Sequence, residues 1–287
     1  MEYEKIIFKE GKISRITLNY PEKRNVENKQ MMSEILDALD RANKNPDCRV
    51  ILVDANGPDF SAGHDMVLLT EEWAGKDWTE GIGADELRTT YDAIFVDYYQ
   101  KLWMYPKAIV AAVHGHVIAG AVMFIQKADI IIASEDAVFS DETLRMGCCV
   151  NLPEFIFWAG YHRVAEYLFT GNRMSAQDAY RLNIVNRVVP REKLLDEAMK
   201  WCERIALMPP ETIEMNKRAM RLVYDRLGLR ENLYLTSYFN ALSHSHRRDH
   251  DTTQKFINLG LRKVLKEYRE KFPLWEEEKD LYALDKK

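Results

Sequence analysis

The stretch PKAIVAAVHGHVIAGAVMFIQKADIIIAS, residues 106–134, decides the fold. Pro106 ends whatever precedes it, and AIVAAV (108–113) is a short unbroken apolar run of the kind that forms a strand buried on both faces. After His114-Gly115, HVIAGAVMFIQKAD reads as a small-residue turn opening a short apolar helix, and IIIAS (130–134) as the next strand. Strand, glycine turn, helix and strand in succession predict an α/β protein.

The same grammar extends in both directions. Towards the N-terminus, IIF and RITLN flank Glu10-Gly11-Lys12, a turn between β-rich runs, so residues 3–19 are expected to form a hairpin. Asn28 is placed to cap a helix in which Met32, Ile35, Leu36, Leu39 and Ala42 recur at helical spacing, and Pro46 ends it. RVILVDA (49–55) follows as a buried strand and NGPDFSAGHD (56–65) as a glycine-containing loop. The stretch 67–84 holds Trp73, Gly75, Trp78, Gly81 and Gly83 and reads as an irregular or helical insertion near a pocket. Helical periodicity returns over 85–104.

Towards the C-terminus, AVFS (137–140) is a further strand. From residue 153 helical segments predominate near 153–169, 175–183, 191–207, 211–227 and 230–268. Gly171, Pro190, Pro209-Pro210 and Gly228 separate them. No low-complexity linker divides the chain, so one α/β core over 1–200 with a helical region over 201–287 is expected. The charged tail 269–287 carries Phe272, Leu274 and Trp275, which suit docking on a neighbour.

Composition narrows the classes. Of 287 residues, 47% are apolar and 30% charged, as in a globular protein with a sizeable core. Lys+Arg against Asp+Glu gives 40 − 45 = −5, which argues against a generic nucleic-acid binder. No apolar run reaches the ~20 residues of a membrane span, and MEYEKIIFKEGK has no signal-peptide apolar region. Cys48, Cys148, Cys149 and Cys202 match no CxxC or zinc spacing, so reduced thiols and a cytoplasmic location are expected.

Two turns carry the chemistry: Phe60-Ser61-Ala62-Gly63-His64-Asp65-Met66 and Ile118-Ala119-Gly120-Ala121-Val122. Each follows a buried strand, and small residues let ligand atoms approach the backbone. Amides at a helix start favour negative charge, and two of them converging on one point form an oxyanion hole.

NYPEKRNVEN (19–28), DFSAGHDM (59–66), residues 106–134, AVFSDETLRMG (137–147) and LFTGNRMSAQDAYRLNIVNRVV (168–189) together, and in this order, resemble the crotonase family of enoyl-CoA hydratases and isomerases. The resemblance covers about residues 3–265. It implies a spiral of ββα repeats, a helical C-terminal trimerisation region, and a homotrimer or dimer of trimers. It also implies an acyl-CoA thioester substrate, with no metal or redox cofactor and no nucleic-acid or membrane partner. By this resemblance the oxyanion amides belong to His64 and Gly120. Ala62 and Met66 resemble positions lining the CoA channel, and Lys23 and Arg24 a basic pair near the CoA phosphates.

Departures limit the reaction. Where hydratases of the family carry two glutamates, this sequence has Met123 and Thr143, and neither can move a proton as a carboxylate does. Simple hydration is therefore not expected. If the strand continues through residue 143, Asp141 and Thr143 share a face and Asp141 becomes the candidate acid or base. Asn151 and Glu154 lie on the loop from which divergent members draw catalytic groups. His64, where hydratases have alanine, resembles a decarboxylase branch; hydrolytic C–C cleavage, with His64 and Asp141 or His116 activating water, is the other option. A non-catalytic acyl-CoA-binding homologue and a structural assembly partner are further alternatives. The tryptophans of 67–104, including Trp103, suggest a bulky or cyclic acyl group.

Overall fold

The computed structural model describes residues 2–66, 96–141, 143–147, 149, 153–243 and 247–273. The hairpin forms as expected: β1 (Ile6–Lys9) pairs antiparallel with β2 (Ile13–Leu18). α1 (Lys29–Lys44) starts where Asn28 accepts the amide of Met31 through its side chain, at 2.8 Å. Then follow β3 (Val50–Ala55), α2 (Tyr98–Trp103), β4 (Ala108–Val113), β5 (His116–Ile118), α3 (Gly120–Ile125), β6 (Ile130–Ser134) and β7 (Val138–Ser140). The remainder is α4 (Thr143–Met146), α5 (Pro153–Ala159), α6 (Tyr161–Thr170), β8 (Met174–Ser175), α7 (Ala176–Arg181), β9 (Arg187–Val189), α8 (Leu194–Ile205), α9 (Pro210–Arg226), α10 (Leu229–Ser243), α11 (Arg247–Leu259) and α12 (Leu261–Lys271).

Six strands make the main sheet in the order β1-β2-β3-β4-β6-β9, parallel from β2 onward. β5, β7 and β8 form a second, smaller sheet, which Ser61 extends by bridging Val117. The chain thus visits the two sheets alternately: β3 leads to Ser61, β4 to β5, β6 to β7, and helices return it to the main sheet. This is the spiral of ββα units. The short strands β5, β8 and β9 are too brief for periodicity to reveal them, and the described part of the 230–268 segment is helical, with α11 and α12 separated at Gly260.

Alternation along the parallel strands explains the layering. Ile51 and Val53 of β3 face a large core with α1 and α3, while Val50 and Leu52 face a smaller core completed by Leu194, Ala198 and Cys202 of α8. With both faces covered, the central strands carry no polar alternation. α9 is tied to this body by charge. Lys217 and Arg221 reach Asp129, at the end of the turn before β6, at 2.6 and 3.0 Å, and Asp129 also accepts the amide of Ile109 at 2.8 Å. Among the described residues no helix is long and apolar enough to cross a membrane.

Candidate active site

The two small-residue turns meet. Ser61 donates its amide to His116 and accepts that of Ile118, both at 3.1 Å, which fixes the first turn along β5. Ala62 donates to the carbonyl of Arg24 at 2.9 Å, Glu27 donates to that of Gly63 at 2.8 Å, and Asp65 donates back to Glu27 at 3.1 Å. These bonds lock the backbone on both sides of His64. Gly63 has φ +79°, and a Cβ there would lie 2.5 Å from the carbonyl oxygen of Ile118 and 3.1 Å from the amide nitrogen of Gly120. Only glycine permits that approach. In the second turn Ala119 takes φ 47° and ψ −106°, an unusual conformation for a residue with a side chain, held by its amide bond to Ser140 at 2.9 Å. Gly120 then begins α3, where the first amides have no acceptor within the helix. The Gly63 and Gly120 turns are thereby brought into contact.

The His64 imidazole lies against the Cα of Gly120. A Cβ built on Gly120 would fall 2.7–2.9 Å from its Cε1, Nε2 and Nδ1. Around the ring sit two groups that sequence reasoning missed. Glu27, 3% exposed, places Oε2 3.7 Å from Nδ1, and that oxygen has no hydrogen-bond partner among the described residues. Tyr99, fully buried on α2, places its hydroxyl 3.4 Å from Nε2 and donates to the carbonyl of Gly120 at 3.2 Å. Burial drives the ionisations apart: the Glu27 carboxyl is pushed up to about 8 and the His64 imidazole down to about 4. The Tyr99 phenol is held well above its usual range by burial and by the Glu27 charge. The one signal available in the sequence was a glutamate just before the Asn28 cap. Its significance depends on the parallel bridge that seats Glu27 beside His64.

Asp141 needs a correction. β7 stops at Ser140, so the strand face expected to join Asp141 to Thr143 does not exist. Instead Asp141 accepts both the amide and the hydroxyl of Thr143, at 3.1 and 2.5 Å. It is buried and close enough to raise the Tyr99 phenol. Met123 is buried on α3, one turn beyond Gly120. Glu154, at the start of α5, is 1% exposed and ion-paired with buried Lys127, whose ammonium lies 5.4 Å from the Tyr99 ring centre. Asn151, Trp73 and Trp78 lie outside the described residues.

Other candidates are engaged elsewhere. Ala62 and Met66 are half-buried on the first turn, while Lys23 and Arg24 are exposed beside it. Arg24 pairs with Asp59 at 2.8 Å. His116 gives one ring nitrogen to Asp59 at 2.7 Å and turns the other to Arg173 at 3.4 Å, a cluster at the sheet junction. Trp103 packs against Arg221 and Tyr224 of α9. Cys149 is held by α10 through Ser243 and Asn240, and burial raises its thiol, which does not suit a nucleophile.

Comparison with known proteins fits this geometry. The family model for enoyl-CoA hydratase/isomerase matches residues 9–277. EchA13 of Mycobacterium tuberculosis is 30% identical over 250 residues, 83% of this chain and 79% of its own. The human mitochondrial Delta(3,5)-Delta(2,4)-dienoyl-CoA isomerase is 28% identical over 226 residues, 75% of this chain and 66% of its own. A solved enoyl-CoA hydratase/isomerase from Xanthobacter autotrophicus Py2 superposes with a TM-score of 0.87 at 27% identity, covering 95% of this chain and all of that one. The spiral of ββα units, the two converging glycine turns and these matches together show that the chain belongs to the enoyl-CoA hydratase/isomerase family, the crotonase superfamily.

Proposed function

We propose that the chain is an acyl-CoA-transforming enzyme. In it the amides of His64 and Gly120 hold the thioester oxygen and stabilise the enolate formed next to it. The approach of Gly63 to Gly120, possible only without a Cβ, carries this reading. Two such donors would each supply roughly 3–4 kcal/mol of stabilisation, judged by the effect of deleting one. Ala62 and Met66 line the channel for the CoA arm, and Lys23 and Arg24 face its phosphates. Met123 and Thr143 supply no carboxylate, which argues for a reaction needing an enolate and one proton donor: decarboxylation, or C–C cleavage of a bulky or cyclic acyl group. His64 beside Gly120 favours that choice.

The test is incubation with a panel of enoyl-, malonyl-type, β-keto- and alicyclic acyl-CoAs, with products followed by mass. Turnover of a malonyl-type or β-keto thioester is expected, with crotonyl-CoA left essentially unhydrated. Rapid hydration of crotonyl-CoA would overturn the assignment of reaction class, and failure to bind any CoA ester would overturn the whole reading.

The region after about residue 200 is proposed as the oligomerisation region. Met215, Met220 and Val223 of α9, Leu227 just after it, and Leu235 and Phe239 of α10 are exposed apolar side chains, in keeping with self-association. A trimer or dimer of trimers by light scattering is the expected result.

A further inference from the structure

We infer that Glu27 and His64 form a single proton-carrying pair behind the Gly120 turn, through which Glu27 supplies a proton to the acyl group held there. This rests on the acyl-CoA reading above and names its proton source. The family positions for paired carboxylates are vacant at Met123 and Thr143, yet a different carboxyl group lies one imidazole away from the oxyanion turn. Glu27 is fully enclosed, and its Oε2 has no hydrogen-bond partner among the described residues while facing His64 Nδ1 at 3.7 Å. A buried, unsatisfied carboxyl oxygen costs about 1–3 kcal/mol, more if charged, which a purely structural residue would not retain without compensation. A leucine of similar length would fill the site without that cost.

The pair works as a relay. The Glu27 O–H bond breaks as Nδ1–H forms, and Nε2–H breaks as the enolate carbon uses its electron pair to form a new C–H bond. The thioester carbonyl is restored and Glu27 is left as a carboxylate, to be reprotonated from solvent. Glu27 acts through the ring and is a positioning and proton-supplying residue; His64 is the group that meets the substrate. The Tyr99 hydroxyl lies near Nε2, donates to the Gly120 carbonyl and also reaches the Glu27 carboxyl. The ionisable groups beside the pair are Tyr98 and Tyr99 of α2; Asp65 follows His64 on the same turn, and Asp141 after β7 and Lys127, itself paired with Glu154, lie near Tyr99. Desolvation outweighs the hydrogen bond that Tyr99 makes to Glu27 and favours its neutral, proton-bearing form at neutral pH.

The experiment follows the His64 ring nitrogens by ¹⁵N NMR in the full-length protein, assigned with His64→Ala, between pH 6 and 9.5. With Glu27 protonated, Nδ1 accepts and the ring carries its proton on Nε2. As Glu27 ionises near pH 8, the proton should move to Nδ1. Glu27→Gln should abolish this switch, while Glu27→Asp should keep it at a shifted midpoint. On any thioester turned over, Glu27→Gln should lower kcat about 100-fold with KM changed less than threefold, in the range expected for losing a proton donor. No tautomer switch in the parent protein, or the same switch in Glu27→Gln, overturns the relay. So does full activity in Glu27→Gln with loss of activity in Asp141→Asn, which would give the role to Asp141. Absence of any CoA-ester binding would strike the acyl-CoA reading alone, because the NMR titration needs no substrate.

Discussion

Gly63 shows how one missing methyl group can define a site. Its φ of +79° and the 2.5 Å that would separate a Cβ from Ile118 O leave no room for alanine. Gly63→Ala is expected to lower stability by about 1–3 kcal/mol, the usual cost of forcing a side chain into such a conformation, and to abolish turnover as the two turns separate; urea denaturation and a CoA-ester assay check it. Glu27 and His64 give the fold a pH dependence of their own. A glutamate whose folded pKa is raised from 4.5 to about 8 favours folding below pH 4.5, and that contribution is lost as pH rises towards 8. A histidine lowered from 6.5 to about 4 contributes above pH 6.5, and its contribution is lost as pH falls towards 4. Glu27→Gln should therefore flatten the decline in stability between pH 5 and 8 and leave the acid limb in place. Chemical denaturation at several pH values, showing an unchanged slope in the variant, would refute this assignment. Neither ionisation was visible in the sequence: a glutamate preceding an N-cap is ordinary until burial removes its water.

At the scale of elements, helices around the site are joined by buried charge. The Lys127–Glu154 pair links the end of α3 to the start of α5, both side chains almost fully enclosed and Lys127 against the face of Tyr99. Burial holds the lysine ammonium well below its usual range, so the pair exists at a solvation cost. Lys127→Met should leave Glu154 buried and unpaired, lowering stability by about 3–5 kcal/mol, whereas Lys127→Met with Glu154→Leu should recover most of that loss. Thermal melts of the single and double variants decide it; equal loss in both would mean that packing, not charge, joins the helices. The long elements were legible beforehand. α1 carries its cap and its apolar stripe in the sequence, and β3, β4 and β6 are unbroken apolar runs. The strand end at Ser140 was not legible, because DET after a strand can continue it or turn, and the Asp141–Thr143 bonds that select the turn are local but not periodic.

Across the whole molecule, Asp129 joins the main sheet to the C-terminal helices by accepting from Ile109, Lys217 and Arg221. Asp129→Ala should cost about 3–5 kcal/mol, since two largely buried cations lose their partner, and should release α9, detected as faster hydrogen exchange over residues 210–226. The net charge of −5 offers a polyanionic coenzyme no general attraction, so local groups such as Lys23 and Arg24 would have to supply it. The long strands and helices and the two glycine turns were determined by the sequence alone, because hydrophobic period and turn chemistry act locally. The placing of Glu27 and Tyr99 around His64 was decided only by the tertiary structure. Those three residues come from segments 35 to 72 positions apart. What gives them chemical meaning is burial and a separation of a few ångströms, which no local pattern encodes.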